Sequence, residues 1–253
     1  MRDGHFGRGN RVLLVALIAT SLSMAAVDPP VHAQRSTPVD SIGARTCEWD
    51  GWLPPNAARA RYRAAHPLNE PAEQSLRLLL DSPKVQERDR AARALAAGRD
   101  SATVTALLDH VTDPNSVVRD GVVRSLGRIG AARAVSALVM VLSGSDPHLR
   151  QAAAWSLGQL EAVRARDALL AASHDTNEHV RSEAAWALGF AGDESTVPRL
   201  RQMTTDERKA VRLAAVCAIG WLRGAVGDAV STDTSEVVRG ATAWVRGRSR
   251  KLR

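Results

Sequence analysis

The chain has little cysteine and few aromatic types: its 253 residues include two Cys, one Tyr and two Phe. Two cysteines cannot build a disulfide scaffold or a four-Cys zinc site. Aromatics at 4% are too thin for a β-sandwich or barrel, whose sheets are filled by Tyr, Phe and Trp. The sequence contains no Gly-rich phosphate loop, serine elbow or Cys-His arrangement, so it offers no catalytic residues and implies no cofactor. What is present is a hydrophobic content of 45%, which excludes disorder throughout, and six tryptophans.

The net charge of +7 first suggests a nucleic-acid binder. Its distribution removes that reading. Residues 1–33 carry three basic and two acidic side chains, and residues 239–253 carry six basic and no acidic ones. The stretch between them, residues 34–238, is balanced at 25 of each sign. The surplus therefore belongs to the C-terminal end, expected as a basic tail over residues 247–253. Such a tail offers weak contact to an anionic membrane surface or an acidic partner, or is simply solvated.

The N-terminus reads as an address. Arg2, Arg8 and Arg11 precede an apolar run from Val12 to Val27, and Val31-His32-Ala33 places small residues at −3 and −1 of a cleavage site. Cleavage after Ala33, or nearer Ala25, would release a mature chain into an extracytoplasmic, oxidising compartment, periplasmic or secreted. The alternative is an uncleaved membrane anchor, although a run of about 16 residues is short for a spanning helix.

The rest of the chain is organised by a step of 31 residues. Val118-Arg119 is followed by Asp-Gly-Val-Val-Arg-Ser-Leu-Gly127, and Leu149-Arg150 by Gln-Ala-Ala-Ala-Trp-Ser-Leu-Gly158. Val180-Arg181 and Val211-Arg212 continue the series to Gly189 and Gly220. Arg88 begins it, and Val238-Arg239 arrives after only 27 residues. After each Arg the apolar positions recur at helical spacing, as in Val118, Val122, Ser125, Leu126 and Ile129, and a Gly ends the run. A second segment, such as Ala134, Leu138 and Leu142, shares one face, and Asp-Pro or Asp-Thr-Asn turns separate the pairs. A pair of such helices cannot bury its apolar face alone, so the pairs must stack. The expected fold is all-α, a right-handed α-solenoid of five to six helical-hairpin repeats over residues 69–246, preceded by an extended segment or cap over 34–68.

Asp, Val-Arg, Ala at the third and sixth following positions, Leu-Gly and a second helix of Ala-x-x-x-Leu together resemble the HEAT-repeat superfamily, in particular its short bilin-lyase-like repeats. That resemblance implies a scaffold or adaptor, and more remotely a lyase-like enzyme that binds a tetrapyrrole. Some relatives are metal-dependent hydroxylases with His-Glu pairs just after the Arg; here only Glu183 occupies such a place, so that activity is not implied.

On the Val-Arg helices the fifth residue after the Arg lies roughly 160° from the apolar stripe. That column reads Arg93, Arg124, Trp155, Trp186, Cys217 and Trp244, with Trp221 on nearly the same side. In HEAT-like solenoids this helix lines the concave surface. The column therefore marks a candidate groove for a partner protein or peptide, with the Trp and Arg typical of interface hot spots. Two alternatives stay open: the Trp rings cover one another, or the N-terminal segment covers them. Cys47-Glu-Trp49-Asp-Gly-Trp52 is a compact cluster suited to docking. If Cys47 and Cys217 pair, the N-terminal segment must cross the groove, and the sequence leaves that pairing open. The recurring Arg88, Arg119, Arg150, Arg181, Arg212 and Arg239 are expected to bind turn acids or carbonyls, with Asp113, Asp146, Asp175 and Asp206 as candidates. His148, His174 and His179 have no paired carboxylate and read as solvated turn residues rather than metal ligands.

Overall fold

A computed structural model describes residue 47, residues 55–98, 100–222 and 232–251, with side chains to residue 246. The leader, Trp49 and Trp52 and residues 252–253 lie outside the described residues. Among the described residues every regular element is helical. They are α1 (Pro55–Ala65), α2 (Glu70–Leu79), α3 (Val85–Ala94), α4 (Ser101–Asp109), α5 (Ser116–Ile129) and α6 (Val135–Leu142), followed by α7 (Pro147–Gln159), α8 (Arg166–Ala172), α9 (Glu178–Ala191), α10 (Val197–Met203), α11 (Lys209–Trp221) and α12 (Glu236–Lys251). From α2 onwards they alternate as antiparallel hairpins, each stacked on the next: the α-solenoid that the 31-residue step predicts.

The apolar stripe is where the periodicity puts it. Val118, Val122 and Leu126 of α5, and Leu149, Ala153 and Leu157 of α7, are buried, facing Leu107, Leu138 and Leu169 from the partner layer. The glycines of the Leu-Gly dipeptides explain how closely the Val-Arg helices approach one another. A Cβ on Gly127 would lie 2.8 Å from the Cα of Ser156, and one on Gly158 would lie 3.0 Å from the Cα of Ala187. These glycines sit inside the last helical turn rather than ending the helix. Where α5 does end on a glycine it is Gly130, in the left-handed region at φ 82°. Ser125 and Ser156 reach back across the same seam, their hydroxyls donating to the carbonyls of Ala92 (2.7 Å) and Val123 (2.9 Å). One layer packs this tightly while the other carries bulky Leu, so the Val-Arg helices approach one another more closely than the helices of the other layer do. Those helices (α3, α5, α7, α9, α11, α12) form the inner face.

Four of the repeats are also stitched to the next at the turn. Arg88, Arg150, Arg181 and Arg212 each clasp an Asp of the following turn through two nitrogens: Asp113 (2.8 and 3.1 Å), Asp175 (2.7 and 2.9 Å), Asp206 (2.9 and 3.0 Å) and Asp233 (2.6 and 3.0 Å). Each Asp also accepts the amide two residues on, closing an Asx turn at the next helix start. The third guanidinium nitrogen reaches the carbonyls of its own preceding turn. The structural reading of the Arg series therefore holds for Asp113, Asp175 and Asp206, with Asp233 as a fourth rung. Asp146 is a correction: it caps α7, accepting the amide of His148 at 2.9 Å. The position it was expected to fill is Gly144, so among the described residues Arg119 bonds only to carbonyls, those of Asp113 and Pro114.

Two boundaries differ from the sequence reading. Residues 55–65 of the expected extended segment form α1, which packs against α5 and α7. Residues 247–251 continue α12 instead of beginning a tail. No helix among the described residues is long and apolar enough to cross a membrane.

Candidate functional site

The inner face changes character along its length. At the N-terminal end it is ionic. Arg93 on α3 donates to Asp89 at 2.8 Å and to Asp120 on α5 at 3.3 Å, and Arg124 donates to Asp120 at 3.0 Å. The chain of alternating charge spans two repeats and leaves both arginines half-buried. The next residue of the column, Trp155, lies between two cations, with the Arg124 guanidinium 5.9 Å and the Arg128 guanidinium 5.5 Å from its ring. Such contacts fix the ring while leaving part of it exposed.

Past Trp155 the face becomes aromatic. Trp186 on α9 and Trp221 at the end of α11 are tilted against each other at 4.8 Å, and Phe190 stacks on Trp221 at 4.5 Å. A Cβ on Gly189 would meet the Trp221 ring at 2.6 Å, so Trp221 lies back over α9. Trp244 on α12 packs in the same way over Gly220, at 2.9 Å from that notional Cβ. Mutual covering, one of the alternatives left open by the sequence, thus accounts for much of Trp186 and Trp221; all three rings remain partly exposed.

Cys217 corrects the expected column. Its side chain has no exposure, and it forms a disulfide with Cys47, itself 2% exposed. It therefore presents no surface to a partner. The bond fastens Cys47 to α11, in the fifth repeat. Eight residues further on, α1 is held at the second and third repeats. Arg59 donates to the carbonyl of Gln159 at the end of α7, and its side chain packs on Gly130. Tyr62 receives the Arg128 guanidinium 5.1 Å from its ring and stacks on His66 at 4.4 Å. One cation, Arg128, thus touches both the arm and the column.

Sequence reasoning missed a polar cluster beside the column. Burial pushes the Glu183 carboxyl up to about 7, against the opposing pull of Arg124 and a hydrogen bond from Gln151. These three residues come from α9, α5 and α7. The signal that could have found them is their adjacency on successive copies of one helix face. His148, His174 and His179 are exposed, and the described residues hold no cluster of three metal-ligating side chains.

The profile for HEAT repeats matches residues 73–158, 140–220 and 166–247. No curated protein matches the chain by sequence. Among solved structures, the YibA protein of E. coli superposes with a TM-score of 0.55 at 18% identity, covering 87% of this chain and 81% of its own. A designed armadillo repeat protein in complex with the peptide (KR)4 gives 0.54 at 17%, covering 70% and 98%. The CpcE–CpcF complex of phycocyanin lyase from Nostoc gives 0.50 at 18%, covering 90% and 100%.

Proposed function

Because this chain belongs to the HEAT-repeat family, we propose that it is a protein-interaction scaffold that holds a partner protein or peptide along its inner face. The observation that carries this reading is the half-exposed run Arg93, Arg124 and Trp155, in which two guanidinium groups and an indole are held in place by neighbouring side chains. Aromatic and Arg anchors fixed in this way lose little entropy on binding and dominate interface energetics. Trp186, Trp221 and Trp244 extend the surface towards the C-terminus. The peptide-bound designed repeat protein supports the mode, since it shares the fold and is described in complex with a peptide.

Export belongs to the same proposal: the leader directs the chain out of the cytoplasm, and the Cys47–Cys217 disulfide suits an oxidising compartment. A photo-crosslinker placed at position 93 tests the binding surface, with one at the exposed outer-face position 140 as the control. Adducts expected from position 93 should fall at least ten-fold in the Arg124→Ala, Trp155→Ala double variant, with helical circular dichroism unchanged. Equal crosslinking from both positions, or adducts insensitive to the double variant, would refute the inner-face reading. A visible absorbance band on the purified chain would point instead to lyase-like tetrapyrrole binding.

A further inference from the structure

At the turns, four arginines are neutralised by the aspartates they clasp. At the opposite ends of the same helices the balance changes. Successive Val-Arg helices lie side by side with their last turns in register, as the close approaches of Gly127 to Ser156 and of Gly158 to Ala187 require. The short connectors that follow α5 and α7, Ala132–Ala134 and Val163–Ala165, therefore share one edge of the solenoid. They carry Arg133 and Arg164, 31 residues apart and both exposed. Helix α1 lies on the same edge, since Arg59 packs on Gly130 at the end of α5 and donates to the Gln159 carbonyl at the end of α7.

Six arginines gather there: Arg59, Arg61 and Arg63 of α1, Arg128 of α5 and the two connector residues. Helix α1 has no acidic residue, and the connectors up to Arg166 hold one, Glu161. Arg59 registers the crowding: burial lowers its pKa and so does the charge of Arg63, with Glu161 opposing. Arg133 is held by the Ser101 carbonyl and the Thr105 hydroxyl, which leave its charge uncompensated. Among the described residues Arg61 and Arg164 form no ion pair. The excess stops at the next connector, where Arg166 is matched by Asp193 at 2.6 Å and Asp193-Glu194 stands in place of Ala162-Val163. The patch thus belongs to repeats two and three. It also runs into the inner face, because Arg128 lies 5.1 Å from the Tyr62 ring and 5.5 Å from the Trp155 ring.

We propose that this edge selects an acidic partner: a polypeptide segment rich in Asp and Glu lies over α1 and the connectors of repeats two and three, and continues past Arg128 onto Trp155. Charge complementarity sets the sign, since an uncompensated cluster of arginines attracts and orients an anionic segment. Guanidinium groups fork onto carboxylates through two nitrogens, which favours Asp and Glu side chains as the groups bound. Continuity with the inner face sets the kind of partner, because one extended chain reaches both the edge and Trp155, whereas a membrane surface would meet the edge alone. The proposal rests on the inner-face reading above and names the chemistry of the partner that reading leaves open.

The probe is the fluorescein-labelled octapeptide (DE)4, read by anisotropy on the full chain at low salt. Arg61→Gln, Arg133→Gln and Arg164→Gln together are expected to weaken its binding about ten-fold, with helical circular dichroism unchanged. Removing three charges from the turns instead, by Lys84→Gln, Arg208→Gln and Lys209→Gln, should change it by no more than about two-fold. A photo-crosslinker at position 163, 64% exposed beside Arg164, should capture the peptide, and one at outer-face position 140 should not. Equal loss in the two triple variants, or no capture from position 163, would overturn the edge as the site. Tighter binding to phosphatidylglycerol vesicles than to the peptide at equal negative charge, through the same three arginines, would overturn a polypeptide occupant in favour of lipid. If (DE)4 fails while adducts from position 93 keep their dependence on Arg124 and Trp155, only the acidic partner falls; if both fail, the inner-face reading falls with it.

Discussion

The turn edge and the inner face are built on the same helices and the same 31-residue step, yet only one of them repeats. Along the turn edge, four arginines clasp four aspartates in one geometry, and even the short last repeat keeps it, its Arg–Asp separation shrinking from 25 to 21 residues. Along the inner face, equivalent positions hold an arginine in one repeat, a tryptophan in the next and a disulfide in another. The turn edge solves a problem that every junction shares, the joining of one hairpin to the next. The inner face has no such common task, and its variation is where a particular ligand can be specified.

The largest expected effect comes from a site that serves both. Gly127→Val would drive a side chain into the backbone of Ser156 and separate α5 from α7, which the turn and the inner face both depend on. Overpacking against backbone should cost about 3 kcal/mol, read from urea unfolding. Asp206→Ala attacks the turn edge alone. It leaves the Arg181 guanidinium, 12% exposed, without its carboxylate, and an intermediate burial of this kind predicts a loss of about 2 kcal/mol.

The two regions should also respond oppositely to pH. The Arg150 hydrogen bonds hold the Asp175 carboxyl below its ordinary range; at Asp113, Asp206 and Asp233 burial pushes upward, but the arginine and turn-amide bonds outweigh it. Their contribution is present above pH 4 or so and is lost as pH falls through the lowered values. Glu183 runs the other way: raised to about 7, it favours the fold most below its unfolded value, and that advantage fades as pH rises through 7. Glu183→Gln should therefore be neutral near pH 4 and stabilise by roughly 1–2 kcal/mol at pH 8, compared by thermal melts at the two pH values.

The smallest effect sharpens the comparison by repairing it. Gly144→Asp would supply the rung that Arg119 lacks, with the new Cβ 3.1 Å from the Val141 carbonyl as its main cost. A gain of about 1 kcal/mol is expected, and Arg119→Met in the same chain should abolish it in a double-mutant cycle.

The architecture is legible in the sequence because stacking imposes one pattern on every repeat, so chance resemblance at one copy is corrected by the next. Registers inside the turn are less so. Aspartate recurs six residues before the Arg, as the rung, and also four before it, as the cap of α7; both positions favour the same side chain for different bonds, which is how Asp146 reads as a rung. The angle of the column is legible as well, and places Arg93, Arg124 and Trp155 on the inner face. That Cys217 is spent inside the molecule is not, because two cysteines 170 residues apart carry no periodicity to align them. Helix α1 is hidden for a similar reason. It belongs to no repeat, and Pro54, Pro55 and Pro67 at its ends suggest extended chain, although Pro55 begins the helix, where its missing N–H costs nothing.

The separation between the two cysteines also orders events in time. Cys47 emerges early in synthesis, while Cys217 follows only after four repeats have been made. Those repeats can stack as they emerge, each on its predecessor, but the arm has nowhere to be fastened until the fifth arrives. Through that interval Cys47 is a thiol without its intramolecular partner, so a nascent chain can engage a foreign cysteine or a neighbouring copy before it engages itself. Completion of the fifth repeat is what turns an intermolecular hazard into an intramolecular closure.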